Sequence, residues 1–293
     1  MKELFRDIWY FLCRYVLAIF SDHVFSRINL WLSNKRFGVS YRGLNLKNPT
    51  SFTDKINFLK LSDEYYYYSE YADKFLVRKF VSEQIGPQFL VPLIGVYKDA
   101  EDIDFDSLPD KFILKTNHGS GWNIICMGKK DLDINKTKRT LNKWLGFNAY
   151  YLSREKQVKN IKPLILCEEL LQYNIYDYKF FCFNGEPFMI QVDVGRFTKH
   201  QRAFYDMSWT KQAFSLVYPL YEGEITCPER FEEMSLIARK LSTRFTFSRI
   251  DLYSHNGNIY FGEITFFPEG GTGHFIPVEY DLIIGNYLTP WRN

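Results

Sequence analysis

The chain has 293 residues, 46% of them hydrophobic, and a formal net charge of +3. That is enough apolar material for one or two packed domains, and the mild charge gives no reason to invoke nucleic acid. Five cysteines, Cys13, Cys126, Cys167, Cys182 and Cys227, are odd in number and form no CxxC pair, which argues against a disulfide framework or a zinc site and fits a reducing cytoplasm.

Along the chain, Ile8 to Phe20 is apolar except for Arg14. It is too short to span a bilayer, and Glu3, Asp7 and Arg14 spoil a signal peptide. Leu4, Ile8, Leu12, Tyr15, Val16 and Ile19 recur at helical spacing, which predicts a helix docked on the protein's own core with Arg14 at its edge; lying on a membrane surface is the competing reading. Ser51 and Asp54 have capping-box spacing before an apolar-periodic stretch through Ile56 and Leu59. A second helix is predicted over 70–85, with Ala72, Phe75, Leu76 and Phe80 on one side and Gly86-Pro87 ending it. A short β segment, Phe89 to Tyr97, follows.

The pattern then turns to strands. Phe112 to Lys115 is a strand, Asn117-His118-Gly119-Ser120-Gly121 a loop and Asn123 to Met127 the return strand. Residues 131–160 read as a polar helical region, and Leu164 to Glu168 as a strand. Tyr178–Phe183 and Pro187–Val194 flank Asn184-Gly185, a strong hairpin signal. A helix over Glu229–Arg244 precedes a last hairpin, Ser248–Tyr253 and Ile259–Phe266. Strands joined mostly through hairpins and mixed with helices indicate an α+β fold.

Four groups of residues can carry chemistry. Lys115 runs into a small-residue loop whose backbone N–H groups can approach phosphate oxygens. Glu168-Glu169 end an apolar strand, where carboxylates can accept ribose hydroxyls. Lys179, after Asp177-Tyr178, has Arg196 and Arg202 downstream, cations that suit an anionic substrate. Arg249 and Asp251 alternate on one strand, with Phe261, Glu263 and Thr265 on the next. Two hard oxygen ligands on adjacent strands make a good Mg²⁺ site if register lets them meet. A two-residue Asn256-Gly257 turn would pair Asp251 with Gly262 and send Glu263 to the other face. A three-residue Asn256–Asn258 loop would pair Asp251 with Glu263, so the metal reading calls for the longer loop.

In this order the pieces resemble the ATP-grasp fold over roughly residues 70–275, and the whole chain resembles the TupA-like ATP-grasp proteins of bacterial surface-polysaccharide clusters. The resemblance rests on Asn48-Pro49-Thr50-Ser51-Phe52-Thr53-Asp54-Lys55-Ile56, Asp73-Lys74 with Arg78, the run from Leu108 to Gly121, Glu168-Glu169, Asp177-Tyr178-Lys179-Phe180, Phe183-Asn184-Gly185, Arg249-Ile250-Asp251 and Gly262-Glu263-Ile264-Thr265-Phe266. It implies two α+β lobes sandwiching MgATP behind an N-terminal helical extension: residues 1–69 the extension, 70–110 a leading lobe, 111–170 the small lobe with the phosphate loop and 171–293 the C-terminal lobe with the metal site. By resemblance Lys74 and Lys115 are the ATP lysines, and Gly119, Ser120 and Gly121 the mobile phosphate loop. Glu168, Glu169 and Leu170 match the adenine hinge. Lys179, Arg196 and Arg249 are the catalytic cations, and Asp251 and Glu263 the Mg²⁺ ligands. Thr265 stands where many relatives have Asn, a position at which a hydroxyl can still ligate.

The chemistry so implied transfers the γ-phosphoryl group of ATP to a carboxylate, and an amine then attacks the acyl phosphate. Family context points to a uronic-acid-bearing sugar as acceptor and an amino acid or amine as donor. It places the enzyme in the cytoplasm, or at the inner membrane face in contact with a polysaccharide-assembly system. A sugar kinase on the same fold, and a glycosyltransferase or non-catalytic scaffold, are the competing readings.

Overall fold

The computed structural model describes residues 2–40, 43–173, 175–195 and 198–290, with side chains from Asp7 onward. Helix α1 (Lys2–Phe11) continues through a π-helical turn (Leu12–Val16) and a 3-10 turn (Leu17–Ile19) into α2 (Asp22–Phe37). Ser21 caps α2 by accepting from the Val24 N–H, and Gly38 at φ 66° ends it. The expected capping box starts α3 (Phe52–Lys60): the Ser51 hydroxyl accepts from the Asp54 N–H while the Asp54 carboxylate accepts from the Ser51 N–H.

The single helix expected over 70–85 is instead two, α4 (Ser69–Ala72) and α5 (Val77–Gln84). Asp73 breaks it. Its backbone is extended (φ −74°, ψ 113°), and its carboxylate accepts from the N–H groups of Phe75 at 2.8 Å and Leu76 at 3.3 Å, a local alternative to the helical ladder. The break frees Lys74 from a helical face.

A four-stranded antiparallel sheet follows, of β1 (Leu93–Tyr97), β2 (Phe112–Thr116), β3 (Asn123–Cys126) and β4 (Ile165–Glu169) in the order β1-β4-β2-β3. Phe112, Leu114 and Thr116 are buried while Ile113 and Lys115 alternate to the other face. The buried side packs with Leu141 and Trp144 of α6 (Ile134–Leu145), in a core whose buried residues fall between Ala100 and Cys167, with Ile94 and Tyr97 of β1 packed against it. The short α7 (Tyr150–Ser153) lies between α6 and β4.

The larger antiparallel sheet has β5 (Asp177–Phe183), β6 (Glu186–Val194) and β7 (Gln201–Asp206), then, beyond the short β8 (Ser215–Leu216) and helix α8 (Phe231–Ser242), β9 (Phe247–His255) and β10 (Asn258–Thr265); its order is β10-β9-β5-β6-β7. Short β11 (Phe275–Ile276) pairs with β8, and α9 (Tyr280–Gly285) closes the chain. Strand β7 and the β8–β11 pair carry too little alternation to be expected from sequence. Asn184-Gly185 makes the anticipated tight turn, with Phe183 opposite Glu186 and both turn residues at positive φ.

Even-numbered β5 residues face α8, where Phe180 stacks on Phe231. On the odd face Phe181, Phe183 and Phe247 pack against Phe52 of α3. Further along that face the residues become ionic: Asp177, Lys179, Asp193, Arg202, Arg249, Asp251 and Glu263. One face is thus core at one end and site at the other. Residues Phe52 to Val81 share the core of this larger sheet.

The N-terminal helix docks on α6 and α7, but not by its apolar stripe. Tyr10 stacks on Phe147 at 4.2 Å, and its hydroxyl accepts from the Asn148 N–H at 2.9 Å. Arg14, at the edge as expected, donates to Tyr10 Oη and Gly146 O, and Cys13 is fully buried. Ile8, Leu12, Tyr15, Val16 and Ile19 are exposed, Ile19 by 80%. The docking face is set by the stacked tyrosine and its polar partners rather than by apolar content. No described helix is long and apolar enough to cross a membrane.

Candidate active site

On the small sheet, Lys115 projects from β2 and its Nζ lies 2.6 Å from Glu168 Oε2 on β4. Arg78 takes the other oxygen at 3.3 Å and anchors to Val91 O at 2.9 Å. Glu168 is 4% exposed, and its two oxygens are engaged by these two cations. Glu169 at the strand end is exposed, and Leu170 is half-buried beyond it.

The loop after β2 is built for close approach. A Cβ on Gly119 would lie 1.9 Å from the Trp122 ring, and Gly121 sits at φ 69°. Asn117 fastens the loop base: its amide donates to Asp73 Oδ2 and Lys162 O at 3.0 Å each and its Oδ1 accepts from the Leu164 N–H. The Lys74 N–H donates to Asn117 O. Its side chain donates to Gly119 O at 2.9 Å and reaches Glu263 Oε2 at 3.2 Å.

On the large sheet, Asp251 pairs with Glu263, but not through the longer loop. The turn is the two-residue type, with Asn256 and Gly257 both at positive φ and His255 opposite Asn258. Register runs evenly to Phe261 opposite Leu252 and then shifts at Gly262, bringing Glu263 opposite Asp251. A β-bulge thus does what the longer turn was expected to do. Arg249 grips Asp251 bidentately, Nε to Oδ1 and Nη2 to Oδ2 at 2.7 Å each. It also donates to Thr265 Oγ1 at 3.1 Å. Lys179 meets Asp251 Oδ2 at 2.7 Å and also Asp177. Burial alone would lower the Lys179 pKa; Asp177 and Asp251 overturn that and hold it above the ordinary lysine value.

The ionic row continues to the sheet edge. Asp193 receives Arg202 Nε at 2.9 Å and stands 3.3 Å from His200 Nε2. Burial would raise its pKa, but His200, Lys179 and Arg202 hold it well below the usual carboxylate range. Arg202 also meets Glu269 Oε1 at 2.7 Å and Leu216 O at 2.8 Å, and its guanidinium lies over the Tyr218 ring.

Between the lobes lies a cavity of about 720 Å³, lined among others by Lys74, His118 to Asn123, Lys179, Arg249, Glu263, Thr265, His200, Arg202 and Glu269. Asp251 lies beneath it, 1% exposed. The structure thus gathers Lys74, Gly119, Ser120, Gly121, Lys179, Arg249, Asp251, Glu263 and Thr265. Lys115 and Glu168 meet across the inner β2–β4 pair, with Glu169 and Leu170 further along at the end of β4; none of the four lines that cavity, and Arg196 falls outside the described residues. Two carboxylates and a hydroxyl on adjacent strands suit a hard, oxygen-seeking cation. Among the described residues no group of three or more His, Cys, Asp or Glu gathers as a metal cage.

Sequence reasoning missed Asp193, His200, Glu155, Gln157 and the role of Glu269. Asp193 carries a signal, since it alternates with Gln191 on the face of Lys179. Glu269 sits at φ 54°, followed by Gly270 and Gly271, also at positive φ. That turn is braced from below by two fully buried polar residues of α3, Lys60 donating to Gly270 O at 2.8 Å and Asn57 to Gly271 O at 2.6 Å.

A family model described as TupA-like ATPgrasp matches residues 54–289. No curated protein matches the chain. Among solved structures, D-alanine–D-alanine ligase from Bacillus anthracis is 15% identical, with 80% of this chain and 63% of that one covered and a TM-score of 0.41. The same enzyme from Helicobacter pylori is 15% identical over 75% and 61%, with a TM-score of 0.43. The ATP-grasp ligase PsnB, complexed with minimal precursor, Mg and ADP, is 12% identical over 78% and 60%, with a TM-score of 0.40. The chain spans about three fifths of the length of these structures.

Proposed function

Because this chain belongs to the TupA-like ATP-grasp family, we propose that it is an ATP- and Mg²⁺-dependent ligase that activates a carboxylate and joins it to an amine. The observation that carries this reading is the meeting of Lys74, the Gly119–Gly121 loop and the Asp251–Glu263 pair around one cavity. Mg²⁺, held by Asp251, Glu263 and Thr265, would neutralise charge on the transferring phosphoryl group. Lys74 and the loop N–H groups orient the phosphates, and Lys115 serves the nucleotide from β2, with Glu169 and Leu170 further along at the end of β4. Lys179 and Arg249 hold Asp251 in place and offer positive charge where the carboxylate is activated. Closure of the loop excludes water from the mixed anhydride.

For substrates, a uronic-acid-bearing sugar and an amino acid or small amine fit the family's setting in surface-polysaccharide synthesis, with the enzyme in the cytoplasm or at the inner membrane face. The exposed apolar side of the N-terminal segment supports the latter. The test supplies MgATP, UDP-glucuronic acid and mixed amino acids, with hydroxylamine as surrogate amine, and follows phosphate, AMP and product mass. The ligase releases ADP and phosphate in step with amide or hydroxamate. A product carrying one added phosphoryl group would sink the ligase assignment and leave a kinase.

A further inference from the structure

Ten of the 23 large hydrophobic side chains that are exposed among the described residues fall between Ile8 and Phe37, so the exposed apolar surface is concentrated on the first two helices rather than scattered. This segment lies ahead of residue 54, where the family match begins. On α2 the exposure is ordered. Val24, Arg27, Trp31 and Lys35 are all exposed, and steps of three and four residues line them up along one side of the helix. The other sides are committed to the protein. Phe25 and Leu30 are buried, Ser33 donates to Thr272 O at 3.0 Å, and Asn29 lines the cavity between the lobes. A helix with its side chains is about 10–12 Å across, so the outer stripe and the cavity rim stand roughly one helix diameter apart.

Charge on this segment is sorted by side. From Asp7 to Ser40 the only acids are Asp7 and Asp22, and both turn inward. Asp7 takes Lys143; Asp22 accepts from the Tyr150 hydroxyl at 2.8 Å and stands 3.7 Å from Arg154 Nε. Arg14 is also spent on the body, on Tyr10 and Gly146 O. Arg27, Lys35 and Arg36 are left outward, with Lys35 Nζ 5.3 Å from the centre of the Trp31 ring and Arg36 over the ring of Phe37. The outer side is therefore apolar and aromatic, with cations and no exposed acid.

We propose that the outer side of α2, continuous in sequence with the exposed residues of α1, is a docking face for an anionic lipid bilayer, with Trp31 at the headgroup level and Arg27 and Lys35 on lipid phosphates. Headgroup phosphates over acyl chains accept cations, an aromatic ring and aliphatic side chains together. A second copy of the chain fits less well, because a two-fold contact through this patch sets the same cations against each other. The docking deepens the inner-membrane setting given above by naming the lipid class and the residues; it does not need the ligase chemistry. It seats the bilayer on the helix whose far side carries Asn29, so the cavity rim stays close to the headgroups.

The test titrates the full chain with vesicles of phosphatidylcholine, with and without phosphatidylglycerol, by co-sedimentation. Binding is expected to be strong on the anionic vesicles, weak on the neutral ones, and to fall as salt rises. Arg27→Gln with Lys35→Gln should weaken it about 30-fold, a factor of about five for each charge lost. Quenching of tryptophan fluorescence by brominated lipids reads the placement, and Trp31→Phe should lose much of the quenching seen in the wild type. Thermal unfolding checks that the variants fold. Equal affinity for the two vesicle types, unchanged affinity in the charge variant, or unchanged quenching in Trp31→Phe overturns the docking face. A chain that ignores vesicles but dimerises in sedimentation equilibrium, with the dimer lost in Trp31→Asp, gives the face to a second copy and overturns it too. The ligase is judged separately by hydroxamate formation: a chain that binds anionic vesicles but makes no hydroxamate keeps the docking face and loses the ligase.

Discussion

Lys74 Nζ lies 3.2 Å from Glu263 Oε2 and donates to Gly119 O at 2.9 Å, so a single ammonium ties the glycine loop of the small sheet to the acidic pair of the large one. It can do so because Asp73 breaks the helix that would otherwise carry Lys74 on its surface. Lys74→Ala should cost MgATP binding roughly 1.5–3 kcal/mol, about 10- to 100-fold, and speed amide exchange across His118–Trp122. Calorimetry and hydrogen exchange read the two effects; a variant with wild-type affinity and wild-type loop protection would refute the coupling.

Lys115→Ala removes one of two cations from a Glu168 carboxylate that is almost wholly buried. Both nucleotide affinity and stability should fall, the stability by about 1–3 kcal/mol because Arg78 alone remains to compensate. The double variant Lys115→Met, Glu168→Gln should recover most of the stability and none of the affinity. Full recovery of MgATP binding in the double variant would remove Lys115 from the nucleotide site.

Gly262 is the bulge that turns Glu263 toward Asp251. Deleting it closes the ladder with Phe261 still opposite Leu252 and Glu263 next, opposite Asp251, so the acidic pair keeps its face and ATP-dependent activity should persist, whereas Glu263→Gln should abolish that activity while the hairpin persists. Gly262→Ala is gentler: its Cβ would meet Asp251 O at 3.1 Å and the Tyr253 ring at 3.1 Å, and a lowered Tm with about 1–3 kcal/mol lost is expected. If Glu263→Gln retains turnover, the acidic pair is not the metal site.

Burial pushes the Lys60 ammonium down from 10.5 to about 8, Glu155 and Asp22 opposing part of the shift. Between about pH 8 and 10.5 the unfolded chain then binds more protons at this site than the folded one, so stability rises with pH. Relative to Lys60→Met, the wild type should gain on the order of 3 kcal/mol across that window and change little below it. Denaturant melts of both proteins at several pH values check this; a flat difference between pH 8 and 10.5 would contradict the shift.

The exposed stripe of Ile8, Leu12, Tyr15, Val16 and Ile19 predicts flotation of the full chain with anionic vesicles and weaker flotation with neutral ones, because exposed Arg27, Lys35 and Arg36 of α2 follow it in sequence. Ile19→Asp with Val16→Asp should abolish flotation and leave MgATP binding intact. Equal recovery of wild type and the double variant would leave this face without a membrane role.

Features encoded over a few neighbouring residues were legible in the sequence. The Ser51–Asp54 capping box, the Asn184-Gly185 turn, the lysine entering the Gly119–Gly121 loop and the candidacy of Asp251 and Glu263 depend on local geometry, which a handful of side chains dictates. What needed the tertiary structure were choices between locally equivalent alternatives. An Asn256-Gly257 turn is as compatible with one register as with another until the backbone at Gly262 bulges against β9. An amphipathic N-terminal helix can dock by either face until Tyr10 finds Phe147. Glu168 reads as a free strand-end acid until Lys115 and Arg78, 53 and 90 positions earlier, close on it. Glu155 and Gln157 give no signal at all in sequence, because they come to line the cavity only once the segment after α7 and the Glu269 turn are brought together around it.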